Sequence, residues 1–249
     1  MKPVLDPFAP YRAATRARIG MGRAGDAVRT GALLDFQAAH ARARDAVHGT
    51  LDVSQLEAQL APLPSLRVHS RAEGRDEYLR RPDRGRRLAP DSAQRLTAAC
   101  GTYDLSLVIA DGLSPAGVTR NAASIVRALL QHLPHLSWAP LVLAEQARVA
   151  LGDEIGALLG ARYVAVMIGE RPGLSVGDSV GIYLTREPRI GRTDAERNCI
   201  SNIHADGLTP AGAADLLKQL LQQAELLKLT GVNLKVGVEN SSRLSFGNP

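Results

Sequence analysis

Tyr163-Val164-Ala165-Val166-Met167-Ile168-Gly169-Glu170-Arg171-Pro172-Gly173-Leu174 is the stretch on which the fold turns. Its first half is an apolar run whose length and β-branched content suit a buried strand. Its second half is a loop, and open α/β sheets hold their ligands in the loops that follow their strands. Gly169 and Gly173 allow close backbone approach, Pro172 stiffens the turn, and Glu170 and Arg171 supply one carboxylate and one guanidinium.

Working outward, strand and helix patterns alternate. Leu105 to Ala110 is a second apolar run, ended by Asp111-Gly112-Leu113-Ser114, and Val118, Ala122, Ile125, Val126, Leu129, Leu130 and Leu133 trace a helical face. Trp138 to Ala144 reads as a strand, with Pro140 predicting an edge position or an irregular start. A short helix is expected over Gly152 to Leu159, stopped by Gly160. Val180, Ile182 and Leu184 alternate with Gly181 and Tyr183, the pattern of a half-buried strand. Thr209 and Pro210 open a long leucine-rich helix that Gly231 is expected to close, and Val232 to Val238 reads as a final strand. The fold class expected is α/β: a Rossmann-like, mostly parallel sheet with helices on both faces, spanning residues 101–249.

Residues 1–100 read differently, as an arginine-rich and mainly helical region. Leu33, Phe36, His40, Ala43 and Val47 share one face of a helix over Ala32 to Val47. Shorter helices are expected over Leu51 to Leu60 and Glu73 to Leu79, and one capped by Asp91 running to Cys100; Leu66 to His69 suits a short strand. Gly20, Gly22 and Gly25 have dinucleotide-fingerprint spacing, but no convincing strand precedes them, so a close-approach loop is the better reading. In Arg80-Arg81-Pro82-Asp83-Arg84-Gly85-Arg86-Arg87, five arginines are either solvated or meet acidic groups on another chain.

Charge and composition narrow the function classes. The formal charge is +5, and residues 1–100 carry 17 Lys plus Arg against 11 Asp plus Glu. Only Lys2, Lys218, Lys228 and Lys235 are lysines, and aromatics make up 4%. Nucleic-acid grooves recruit lysines and interleaved aromatics, whereas arginine suits fixed ion pairs and interfaces. The arginine-rich region therefore reads as a docking surface, with a basic nucleic-acid-binding α/β protein as the alternative. No run of about 18 apolar residues predicts a membrane span, and no secretory h-region follows Met1, so an intracellular chain with Cys100 and Cys199 as free thiols is expected. Without any Cys-x-x-Cys, a structural zinc site is not expected.

Three loops leave neighbouring strands on one rim and can line a single crevice: Asp111 to Ser114, Gln146 to Val149, and Gly169 to Gly173. Glu170 can accept hydrogen bonds from a ligand or pair with Arg148 or Arg171. Asp111 can be a general base or a turn residue. Cys199 can be a nucleophile if Arg197 or His204 lowers its pKa, as in a cysteine hydrolase, or a small, half-buried thiol packed against a ligand or the core. The residues alone imply an α/β ligand-binding domain and leave its ligand open.

Longer segments are more particular: Thr15 to Gly25, Leu34 to His40, Tyr78 to Leu88, Ile109 to Ser114, Gly169 to Leu174, and Asp194 to Ile203. They resemble the small (light) chain of ethanolamine ammonia-lyase, and the likeness runs from about Thr15 to Leu234. The resemblance implies one subunit of an adenosylcobalamin-dependent carbon–nitrogen lyase that converts ethanolamine to acetaldehyde and ammonia through radicals and is inactive alone. It implies a cofactor lying between this chain and a large TIM-barrel chain in a hetero-oligomer, with no catalytic acid or base and no metal ligand here. Carried over by motif, the implied cofactor contacts are Val149, Glu170 and Cys199. The chain has no Asp-x-His-x-x-Gly, so the cofactor's own base is expected to stay on cobalt. Some members have a longer leader associated with packaging in a bacterial microcompartment. Here the likeness begins near Met1, and microcompartment and cytoplasm both stand as expected locations.

Overall fold

The computed structural model describes residues 6–235. An N-terminal arm comes first: α1 (Ala9–Ala14), a two-residue hairpin of β1 (Arg23–Ala24) and β2 (Ala27–Val28), and the long α2 (Thr30–His48). The hairpin accounts for the glycine-rich stretch, since Gly20, Gly22 and Gly25 all take positive φ around it. Then follow α3 (Val53–Leu60), β3 (Ser65–His69), α4 (Arg75–Arg80), α5 (Pro90–Ala98), β4 (Tyr103–Ala110), α6 (Pro115–His132), β5 (Leu141–Glu145), α7 (Leu151–Leu159), β6 (Ala161–Gly169), β7 (Val180–Arg186), β8 (Asn198–Ile203) and α8 (Pro210–Leu227).

The six longer strands form one sheet in the order β3-β5-β4-β6-β7-β8. The first four are mutually parallel, and β7 and β8 continue as an antiparallel ribbon. The expected α/β class and mostly parallel core are thus observed. Helices cover both faces, because side chains alternate along each strand. Leu105, Leu107 and Ile109 of β4 pack with α3, α6 and α8, while Val108 and Ala110 face α5 and α7. Burying each of these larger side chains contributes roughly 1.5–3 kcal/mol.

Several local expectations change. β3 pairs in register with β5, α3 packs in one core and α5 in the other, so residue 100 marks no break between structural units; only the arm to the end of α2 stands apart. Pro140 gives β5 an irregular start rather than an edge position, and Trp138 only bridges to Leu105. Pro90 begins α5 and places Asp91 in its first turn rather than at the cap. The long C-terminal helix ends at Lys228 in the left-handed conformation, ahead of Gly231. Val232 and Asn233 lie in a turn and Leu234 and Lys235 are not strand, while residues 236–238 of the strand expected there lie outside the described residues. Three of the five clustered arginines find carboxylates within the chain: Arg81 meets Asp83, Arg84 meets Glu77, and Arg87 meets Glu154. Both cysteines are free, and no helix among the described residues is long and apolar enough to cross a membrane.

α7 lies so close to the sheet that a Cβ on Gly152 would stand 2.2 Å from Cγ2 of Val166. Replacing Gly152→Ala should push the helix off β6 and cost about 1–3 kcal/mol, read as a lower urea midpoint with an unchanged slope.

Candidate functional site

The strand order reverses at β4: the chain crosses through α6 to β5 on one side, then through α7 to β6 on the other. Loops leaving a sheet at such a point diverge and open a crevice. Asp111, the first residue past β4, sits at its base and is 1% exposed. Its Oδ1 accepts N–H groups from Gly112 (2.9 Å) and Ala147 (3.0 Å), and its Oδ2 accepts that of Gln146 (2.9 Å), with Arg75 Nη1 3.4 Å away. Burial pushes this carboxyl up to about 6, against the pull of the N–H donors and Arg75. Asp111 is therefore neither a free base nor a plain turn residue: it ties the β4 loop to the β5 loop.

The β4 and β6 loops touch just as closely. Gly112 has φ +56°, and a Cβ there would lie 2.3 Å from the carbonyl oxygen of Gly169; Leu113 N donates to that oxygen at 2.9 Å. A side chain at Gly112 would be strained and would also separate the loops.

Above this base lies a cavity of about 480 Å³ lined by Tyr78, Arg148, Val149, Glu170, Arg171 and Tyr183, among others. Val149 and Glu170, from separate loops, thus share one wall. The Glu170 carboxylate accepts the N–H of Asn202 at 3.3 Å and lies over Gly181, where a Cβ would come within 3.0 Å of Oε1. It makes no ion pair among the described residues, so of its two readings the unpaired acceptor is the one seen.

Cys199 joins from the ribbon. It stands opposite Tyr183 in the β7–β8 pair, and opposed residues project on the same face. Tyr183 packs toward the core beneath α7, but that helix covers β6 and stops short of β8, so Cys199 is exposed rather than half-buried. Crowding by neighbouring protein atoms raises the thiol's pKa, and the charge of Glu170 adds to the effect. Neither expected activator acts on it. Arg197 makes a bidentate pair with Asp153 (2.6 and 2.8 Å) at 2% side-chain exposure, and His204 meets the Asn202 side chain. The phenol of Tyr183 is likewise raised, first by burial and then by Cys199 and Glu170. A protonated thiol without a base gives no support to a cysteine hydrolase.

A larger groove of about 640 Å³, lined by Leu133, Leu136, Leu221 and Leu226, lies at the opposite end of the sheet. Of its charges Arg162 and Lys228 both meet Glu225, and it holds no candidate residue. The rim cavity has the unspent polar groups.

A family model described as the ethanolamine ammonia-lyase light chain (EutC) matches residues 5–235. The chain is 53% identical over 239 residues to the ethanolamine ammonia-lyase small subunit of Rhodopseudomonas palustris (strain BisA53), covering 94% of this chain and 91% of that one. It is 49% identical over 245 residues to the small subunit of Pseudomonas fluorescens (strain Pf0-1), covering 94% and 89%. The chain belongs to the ethanolamine ammonia-lyase light-chain family.

In this light-chain fold the sequence signals for Val149 and Glu170 lead to one cavity and that for Cys199 to its margin. Tyr78 and Tyr183 escaped notice, because a lone tyrosine in a helix or strand has no pattern to distinguish a cavity wall from core. β8 was missed for a similar reason: Asn198-Cys199-Ile200-Ser201-Asn202 is too polar to read as a strand.

Asp111→Ala should leave the N–H groups of Gly112, Gln146 and Ala147 without an acceptor and cost about 2–4 kcal/mol. Because the folded carboxyl titrates above its ordinary value of 3.8, its contribution to stability is complete below about pH 4 and is lost as pH rises through about 6. The wild type's advantage over the variant should therefore narrow between about pH 4.5 and about pH 7, as measured by urea midpoints.

Proposed function

We propose that this chain is the small subunit of an adenosylcobalamin-dependent ethanolamine ammonia-lyase, holding one side of the cofactor while a large chain closes the other. The observation that supports this reading is that Val149 and Glu170 line one cavity, with Cys199 on the ribbon opposite the lining residue Tyr183. That cavity is of the size that encloses a drug-sized ligand, too small for a corrin ring with its nucleotide tail. Beyond it, the ribbon face bearing Cys199 lies open, so a second surface is required.

The residues fit the cofactor's chemistry. Glu170, an acceptor without a counter-ion, suits the amide N–H groups on a corrin rim. Val149 and Cys199 are small enough for a broad ring to approach. Buried polar atoms without partners, Gln146 Oε1 and Arg148 Nε, sit on the same loop. When bound, the cofactor supplies radical chemistry that none of these side chains can perform. With Tyr183 and Cys199 held protonated and Asp111 sealed in its clamp, the site offers no poised acid or base. These groups bind and orient, consistent with a subunit inactive alone.

The arm supplies the docking surface. Phe8, Tyr11, Val28, Leu33, Leu34 and Phe36 are half of the exposed large apolar residues among those described, and Ala39 is the only buried residue described in α2. Apolar and aromatic side chains among arginines, with few lysines, are the composition of protein interfaces. The arm is tied to the cofactor rim: Arg16 pairs with Asp206 and its carbonyl accepts from Ser175 Oγ, and Arg75 Nε donates to the Val47 carbonyl at the end of α2. One partner can therefore cover both surfaces.

Co-expression with the large chain should yield a complex that retains a red corrinoid. Glu170→Ala should lower that retention at an unchanged melting temperature; full retention would remove Glu170 from the site. Phe36→Asp should weaken association by about 2 kcal/mol, roughly 30-fold, in sedimentation of the two chains, while leaving this chain's own stability intact.

A further inference from the structure

The cavity holds more positive charge than the described residues balance. Arg148 and Arg171 line it with Glu170, and none of the three makes an ion pair among the described residues. Arg148 is half-buried and held in place: its guanidinium lies 4.4 Å from the Tyr78 ring centroid, and its Nη2 donates to the Tyr78 carbonyl at 3.0 Å. Its Nε is buried without a partner, and its Nη1 makes no hydrogen bond among the described residues. Elsewhere the half-buried or buried Arg75, Arg87, Arg192 and Arg197 each meet a carboxylate. Asp111 is committed to three N–H groups and Arg75, and the Glu170 carboxylate in the same cavity accepts the Asn202 N–H and meets no cation among the described residues. A partly desolvated cation left without a counter-charge is unfavourable, so the missing charge must come with a ligand.

We infer that Arg148, assisted by Arg171, binds the phosphodiester of the cofactor's nucleotide loop; this rests on the adenosylcobalamin reading above. The corrin amides are neutral, and the phosphodiester is the one side group of the cofactor that carries a negative charge. A guanidinium fork matches phosphate oxygens with two parallel N–H donors, and the Tyr78 stack fixes the fork's plane before the ligand arrives. Val149, the next residue, then brings its backbone beside the ring. On this assignment Glu170 reads the amide rim and Arg148 reads the tail, so the site distinguishes a complete cobalamin from a corrinoid lacking its nucleotide.

The test uses the complex with the large chain, freed of corrinoid and titrated with cyanocobalamin and with dicyanocobinamide, which lacks phosphate and nucleotide. Affinities are read from bound corrinoid absorbance after gel filtration. The wild type should prefer cyanocobalamin. Arg148→Gln should lose about tenfold or more for cyanocobalamin and little for the cobinamide. Arg148→Lys, which keeps the charge, should recover part of the difference, and Arg171→Gln, at an exposed position, should show a smaller loss of the same kind. Equal losses for both corrinoids, no loss for either, or no recovery with lysine would overturn the assignment. A wild-type complex that bound neither corrinoid would instead bring down the cofactor reading itself. Should Arg148→Gln fail to assemble, the Arg171→Gln comparison decides: an unchanged preference overturns the proposal.

Discussion

A single buried carboxylate holds the working end of this molecule together. Strand order reverses at β4, so the loops after β4 and β5 have no ladder to align them beyond Ala110 and Ala144. Asp111 replaces the ladder by accepting N–H groups from both loops, and Gly112 lets the β6 loop close in from the other side. Desolvating a carboxylate is costly, and here three backbone donors and Arg75 offset that cost. Three groups proposed for the site are positioned from this knot: Arg148 and Val149 follow directly from it, and Glu170 lies across it.

The antiparallel ribbon sets the site's other boundary. In a wholly parallel sheet each strand returns through a helix, and both faces are covered. The β6–β7 connection is a hairpin, which brings no crossover helix, so α7 is the last helix on that face. Cys199 is consequently exposed and Tyr183 only half-buried, on a face where a flat ligand can lie. The neighbouring loop is made rigid by the Arg197–Asp153 pair, with Thr185, Asp194 and the Arg192 carbonyl using the remaining donors. Removing a binding surface's covering helix exposes it; this buried network keeps the exposed strand in register.

The arm and the body follow different rules. In the body, apolar periodicity and burial agree, as on α6, whose Val118, Ala122, Ile125 and Leu129 are fully buried. On α2 they disagree. Leu33 and Phe36 follow the helical period, and Phe36 stacks with His40, yet all three are exposed. A stripe left uncovered by the described residues of its own chain is what an obligate interface looks like from one side.

Much was legible in the amino-acid sequence because it is written locally. Apolar runs bounded by glycine and proline specified β4, β6 and their loops, caps such as Thr209 placed the helix starts, and the motifs around Val149, Glu170 and Cys199 carried the family. Local pattern determined which elements form and which family the chain belongs to. It did not determine how distant segments share space. That β3 enters the sheet beside β5, that Asp111 serves three amides, that Arg197 turns away from Cys199 toward Asp153, and that Arg148 meets no carboxylate among the described residues all depend on contacts between residues far apart in the chain. Hydrogen-bond satisfaction and burial are properties of those contacts, so only the tertiary structure decided them.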